Sequence, residues 1–250
     1  MATPRPLARP PVREAIIEVR TEPVALESVT ALRGAIAAGF PNATPFRLAS
    51  TALRLPEERR GAGADAASNQ TGWRCESADG TEVALIRTDG LSFGRLSGYP
   101  GWDPFVDRCL SVWGRFVDLV RPVEVRSVSA RYVNDLRLPV GAPFEFERFL
   151  TAVPRPPAGL SPALTDFLVQ MTLPGGADGL QVEVTLATDA SVRHDTTLPV
   201  ILDIDASWER TLVVDERAPA RLQEALATLR DLKNRVFFGM LTDQLLDAYR

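Results

Sequence analysis

Leu180–Ala187 reads LQVEVTLA and Leu198–Glu209 reads LPVILDIDASWE, and these two stretches decide the fold class. In the first, Leu180, Val182, Val184 and Leu186 share one side, while Gln181, Glu183 and Thr185 take the other. In the second, Leu198, Val200, Leu202, Ile204, Ala206 and Trp208 oppose Asp203, Asp205, Ser207 and Glu209. Side chains of a strand alternate between its two faces, so this period means a sheet with one dry face and one wetter face. Strands of that kind belong to antiparallel sheets.

Outward from these strands, one order of elements occurs twice. In the first half, Val12–Arg20 reads as a strand and Ala25–Ala38 as a helix. Strands follow near Phe46–Leu55, at Trp73–Glu76 running on to Arg87, and at Leu91–Leu96, and the amphipathic helix Pro104–Arg121 closes the half. In the second, strand Val125–Leu138 precedes a short helix at Phe144–Leu150. Strands Asp166–Leu173, Leu180–Ala187 and Val200–Trp208 come next, before a long closing helix, Ala220–Tyr249. The expectation is an α+β protein, one unit over residues 1–250, made of two pseudo-repeats at 11–122 and 123–250. Each repeat runs strand, helix, three strands, helix, with antiparallel sheets and the helices on one face. The junction at Arg121–Val123 is too short for a free linker, so the halves should share a sheet or pack face to face.

Local punctuation supports these elements. Asp103 reads as an N-cap before Pro104 at the first helical position. Phe105, Cys109, Val112, Trp113, Phe116 and Val120 then recur at helical spacing until Pro122. Asp89-Gly90 reads as a tight hairpin, and Tyr99-Pro100-Gly101-Trp102 as a turn into the helix. Pro56–Gly72 and Pro154–Pro162 read as loops.

Composition narrows the functional classes. The chain has 250 residues, 45% hydrophobic and 24% charged, which is ordinary for a globular protein. Its net charge of −4 gives no global pull toward nucleic acid or an anionic membrane. Lys233 is the single lysine, a bias toward arginine that reads as the codon usage of a GC-rich genome. Cys75 and Cys109 make no disulfide framework, which suits a reducing cytosol. Met1–Pro11 is rich in proline and arginine and carries no apolar core, so it does not read as a signal peptide. No apolar run has membrane-spanning length. A soluble, cytoplasmic protein is expected, with no cofactor and no nucleic-acid or membrane partner.

Few residues point to chemistry. Asp203 and Asp205 lie two apart on one strand, so both carboxylates project from one face, and Glu183 joins them if its strand is adjacent. Oxygen clusters of this kind attract hard divalent cations and begin metal-dependent phosphoryl transfer. The plainer reading is a solvated strand face balanced by arginines such as Arg131. Arg20, Arg87, Arg95 and Arg131 can likewise line a groove for phosphate or carboxylate groups. The overall acidity instead favours pairing with Glu14, Glu18, Glu183, Asp203 and Asp205. Asn134 interrupts the apolar side formed by Val128, Ala130, Tyr132, Leu136 and Leu138, and a buried amide needs partners. His194, the single histidine, has Asp195 beside it but no accompanying nucleophile motif. Phe237-Phe238 reads as core.

Four pieces spread along the chain carry a resemblance. They are Arg9-Pro10-Pro11-Val12-Arg13-Glu14-Ala15, Arg131-Tyr132-Val133-Asn134, Leu202-Asp203-Ile204-Asp205, and Leu232–Phe238 with Asn234 and Phe237. Together they resemble a sporadically distributed family of uncharacterised bacterial proteins of about this length. The resemblance brings no activity, cofactor or catalytic residue with it. A patchy distribution implies an accessory gene, in defence, toxin neutralisation or a mobile element. The doubled order of elements also looks like the saddle of TATA-binding-protein-like domains, or a pair of helix-grip units. Fold likeness does not transfer function, and the basic intercalating surface of a DNA-binding saddle is missing.

The first expectation is therefore a non-enzymatic protein-binding protein of an accessory bacterial system, in phage defence or toxin neutralisation. Its partner would be another protein or a second copy in a homodimer, met through the sheet face away from the helices or through a sheet edge. The candidate binding residues are Arg131, Asn134, Glu183, Asp203 and Asp205, with no catalytic residue or metal ligand named. The alternative is a small-molecule binder or enzyme using a helix–sheet pocket, favoured by a cavity with inward polar groups around Asn134 and Tyr132. A further alternative is a metal-dependent phosphodiesterase at Asp203 and Asp205.

Overall fold

Alternating strands with one apolar side bury it only by pairing edge to edge and accepting helices on that side. Among the described residues of the computed structural model, nine strands do so in one antiparallel sheet. The structure describes residues 2–47, 70–139, 145–159, 164, 166–188 and 196–250. The strands are β1 (Val12–Thr21), β2 (Asn42–Arg47), β3 (Gln70–Glu76), β4 (Glu82–Arg87), β5 (Gly90–Arg95), β6 (Glu124–Pro139), β7 (Leu168–Pro174), β8 (Leu180–Thr188) and β9 (Thr197–Val213). Their order is β2-β3-β4-β5-β1-β6-β9-β8-β7. The two halves meet at the central pair, where Ala15 faces Tyr132, Ile17 faces Ala130 and Val19 faces Val128.

The long helices are α1 (Leu26–Ile36), α2 (Trp102–Val120) and α3 (Ala218–Met240). α1 lies against β3 and β4, α2 against β5, and α3 against β6 and β9. One core forms between these helices and the dry sheet face. Ile17, Phe93, Ile86, Ala130, Ile204 and Val184 meet Val29, Leu32, Phe105, Phe116, Leu226 and Leu229 there. The α+β class and the antiparallel sheet are thus as expected. At the heart of the sheet β5 comes so close to β1 that a Cβ on Gly90 would lie 2.2 Å from the Val19 carbonyl oxygen.

Several local boundaries differ from expectation. Trp73–Arg87 is two strands rather than one, because Asp79 folds the chain back. Its carboxylate accepts from Ser77 Oγ at 2.7 Å and from Thr81 N at 3.0 Å, and Gly80 takes φ +68°. α2 starts at Trp102 with Gly101 at its N-cap, so Asp103 sits in the first turn and caps nothing. The helix ends at Val120, with Arg121 left-handed at φ 54° just before Pro122. The closing helix breaks at Leu241, which is extended and bridges to Leu150. Thr242 then caps a short α4 (Asp243–Leu246), its Oγ accepting from Leu245 N. Of the expected short helix Phe144–Leu150, the described residues 145–150 hold one 3-10 turn, Phe146–Arg148. Residues 48–55 of the expected strand Phe46–Leu55, 56–69 of the expected loop, Phe144 of the expected short helix, 160–162 of the second loop, and His194 with Asp195 lie outside the described residues.

Candidate functional site

Register places the first set of candidates on the sheet face opposite the helices. Arg131 of β6 lies across from Asp205 of β9, and Asp205 across from Glu183 of β8. The arginine reaches diagonally to Asp203, its Nη2 donating to Oδ2 at 2.6 Å and its Nε to Oδ1 at 3.0 Å. Asp205 is left with Oδ1 buried and without a hydrogen-bond partner. Burial pushes its carboxyl up to about 6, helped by Asp203, Glu18 and Glu183 and opposed by Arg131. Arg20, Arg87 and Arg95 are paired as well. Arg87 binds Glu18 and Asp89, Arg20 binds Glu18 at 3.0 Å, and Arg95 binds Glu82 at 3.1 Å. Among the described residues, no group of three or more His, Cys, Asp or Glu side chains can hold a metal ion.

Asn134 is on the other face and belongs to a different site. Its side chain is buried, and Nδ2 donates to Leu202 O at 2.9 Å and to Tyr132 O at 3.3 Å. Above it, the gap between α2 and α3 forms a cleft of about 550 Å³. Tyr132 and Asn134 make its floor, Tyr99, Gly101 and Trp102 one side, and Arg230, Lys233, Asn234 and Phe237 of α3 the other. The N-terminal segment supplies the last wall through Arg5, Leu7 and several prolines. That segment is tied down by Ala2 N to Phe238 O at 3.0 Å, by Arg5 to Asp243 and Asp247 at 2.7 and 2.8 Å, and by Arg9 N to Tyr249 O at 3.2 Å.

The cleft is aromatic and cationic. Tyr99 and Tyr132 share a hydroxyl–hydroxyl bond of 3.1 Å, and Trp102 stacks near Tyr132 with ring centres 6.4 Å apart. Burial raises the pKa of both tyrosines. Lys233 holds its Nζ 4.1 Å from the centre of the Tyr132 ring and donates to Asn234 Oδ1 at 2.8 Å. It pairs with no carboxylate among the described residues. Burial, with a contribution from Arg230, pulls its ammonium down to about 8. The Arg230 guanidinium lies 5.4 Å from the Trp102 ring, and Asp103 approaches it only to 3.8 Å.

Of the five candidate binding residues, the sheet therefore gathers Arg131, Glu183, Asp203 and Asp205 on one face and sends Asn134 to the other. Sequence reasoning missed Lys233, Arg230, Tyr99 and Trp102 as a group. One signal was present: Lys233 stands four residues after Leu229 and four before Phe237, inside the apolar stripe of its helix. No family model, no curated protein and no solved structure matches the chain.

Proposed function

We propose that the protein binds a small molecule in the cleft between α2 and α3. The observation that carries this reading is the convergence of Asn134, Tyr99, Tyr132, Asn234 and a Lys233 without a described counter-ion on one cavity of about 550 Å³. Small-molecule sites are mostly apolar cavities of this order with a few placed polar groups. Native mass spectrometry of the full chain from its own host tests it, together with a thermal-shift screen of a metabolite library. A stoichiometric adduct, or a stabilising compound whose effect is lost in Trp102→Ala, supports the reading. No adduct and no stabilising compound removes it.

A protein partner at the open sheet face is the second reading, in the defence or toxin-neutralising setting that the family resemblance implies. It is favoured by one feature: the three long helices all pack on the other side, leaving Ile16, Leu85 and Ile201 half-buried among the ion pairs. Affinity capture with wild type and with Arg131→Glu checks it, and recovery of the same partners by both variants counts against this face. A homodimer through this face is the same proposal with a second copy as partner. The metal reading at Asp203 and Asp205 has less support, because Arg131 already neutralises Asp203.

Internal duplication belongs to the same proposal. From β1 and β6 the order runs β5-β4-β3-β2 on one flank and β9-β8-β7 on the other, one described strand more in the first half than the expected repeat of three, and a long helix follows β5 and β9 alike. A cytoplasmic location is also proposed, supported by two buried free thiols. No described helix is long and apolar enough to cross a membrane.

A further inference from the structure

We infer that the ligand of the cleft is an organic anion with a flat apolar body, its acidic group held by Lys233 and Arg230; this rests on the reading of the cleft as a small-molecule site. The chain as a whole carries a net charge of −4, yet among the described residues the charged ones lining the cleft are Arg5, Arg230 and Lys233, and no carboxylate lines it. Arg5 is committed to Asp243 and Asp247. Lys233 pairs with no carboxylate among the described residues and Arg230 meets only the exposed Asp103, at 3.8 Å, so both remain available to a ligand. They stand three apart on α3 and so share a helix face. Removing an ammonium from water costs free energy that the face of Tyr132 offsets only in part. An incoming anion supplies the rest as charge-assisted hydrogen bonds. Trp102 and Tyr132, inclined at only 23°, with Phe237, Phe238 and the N-terminal prolines, make the remaining walls flat and apolar. A cationic ligand would meet two like charges there.

The test is calorimetric titration of the full chain with three matched probes: 2-naphthoate, 2-naphthyl phosphate and the neutral 2-naphthamide. At least one anion should bind about tenfold or more tighter than the amide, as expected for a charge-assisted hydrogen bond. The tighter of the two anions identifies the acidic group as carboxylate or phosphate. The preference should fall about tenfold in Lys233→Gln. Arg230→Gln, at a more exposed position, repeats the measurement should the first variant fail to fold. Equal binding of amide and anions sinks the anion inference and leaves the cleft reading standing. Anion preference unchanged in the folded variants also sinks it. No binding of any probe at millimolar concentration removes both.

Discussion

The Lys233 ammonium and the Tyr132 ring face each other at 4.1 Å, across the seam where α3 crosses the central strand β6. The tyrosine ring is buried on the sheet and its hydroxyl is taken up by Tyr99. This contact and the hydrogen bond to Asn234 Oδ1 at 2.8 Å are what the described residues offer the only lysine in the chain.

Lys233 should weaken the folded protein at neutral pH. Its pKa is pulled from 10.5 to about 8 by burial. Below about 8 it is charged in both folded and unfolded states, so the burial penalty is fully present. Between about 8 and 10.5 the folded protein releases the proton while the unfolded chain keeps it, and stability rises with pH. Lys233→Met should therefore be more stable than wild type at pH 7, with the gain shrinking through that window. Urea denaturation of both proteins from pH 7 upward measures it, and a pH-independent difference contradicts it.

Asp205 carries the opposite pH signature. Its carboxyl is raised from 3.8 to about 6, with burial the largest cause. Below 3.8 it is protonated whether folded or not, and the penalty grows as pH rises toward 6. Asp205→Asn should melt higher than wild type at pH 7 and alongside it near pH 4. Thermal unfolding monitored by circular dichroism at the two pH values decides the point.

The Tyr99–Tyr132 hydroxyl pair should show coupling. Tyr99→Phe leaves the buried Tyr132 hydroxyl without its partner and costs about 1 kcal/mol. The Tyr99→Phe, Tyr132→Phe double variant should lose less than the sum of the singles, by about 1 kcal/mol in a double-mutant cycle. Strict additivity would mean that the bond contributes nothing.

Two glycines should respond in opposite directions to alanine. Gly90 has φ +140°, and its added Cβ would sit 2.2 Å from Val19 O, so Gly90→Ala should cost more than about 3 kcal/mol or abolish folding. Gly114 lies within α2, where an added methyl would meet nothing within 4 Å, and Gly114→Ala should add about 0.5–1 kcal/mol. Denaturant midpoints of the pair provide the comparison.

Both thiols should be inert while the protein is folded. Burial raises Cys75 to about 11, against a small opposing effect of Arg33, and raises Cys109 to about 12. Only the thiolate is nucleophilic, so a disulfide reagent at pH 8 should label both at the rate of unfolding. Fast labelling of either one in native conditions would contradict its burial.

Much of the secondary structure was legible because strand alternation and helical spacing are local properties. Val182, Val184 and Leu186 needed only their neighbours in sequence to declare a buried face. The break at Leu241 was not legible, since the apolar spacing continues through Leu245 and only the bridge to Leu150 and the cap at Thr242 interrupt it. The pairing of Arg131 with an acid was anticipated, but the choice of Asp203 over the directly facing Asp205 depends on side-chain reach across the twisted sheet.

The sequence by itself determined the class of the protein: an antiparallel sheet with one dry face, amphipathic helices to cover it, and a face of mixed charge on the other side. Only the tertiary structure decided that Asn134, Lys233, Trp102 and Tyr99 surround one cleft. Periodicity states which face a side chain takes, whereas neighbours across that face come from segments far apart in the chain. Their meeting is set by strand order and by where the helices settle on the sheet.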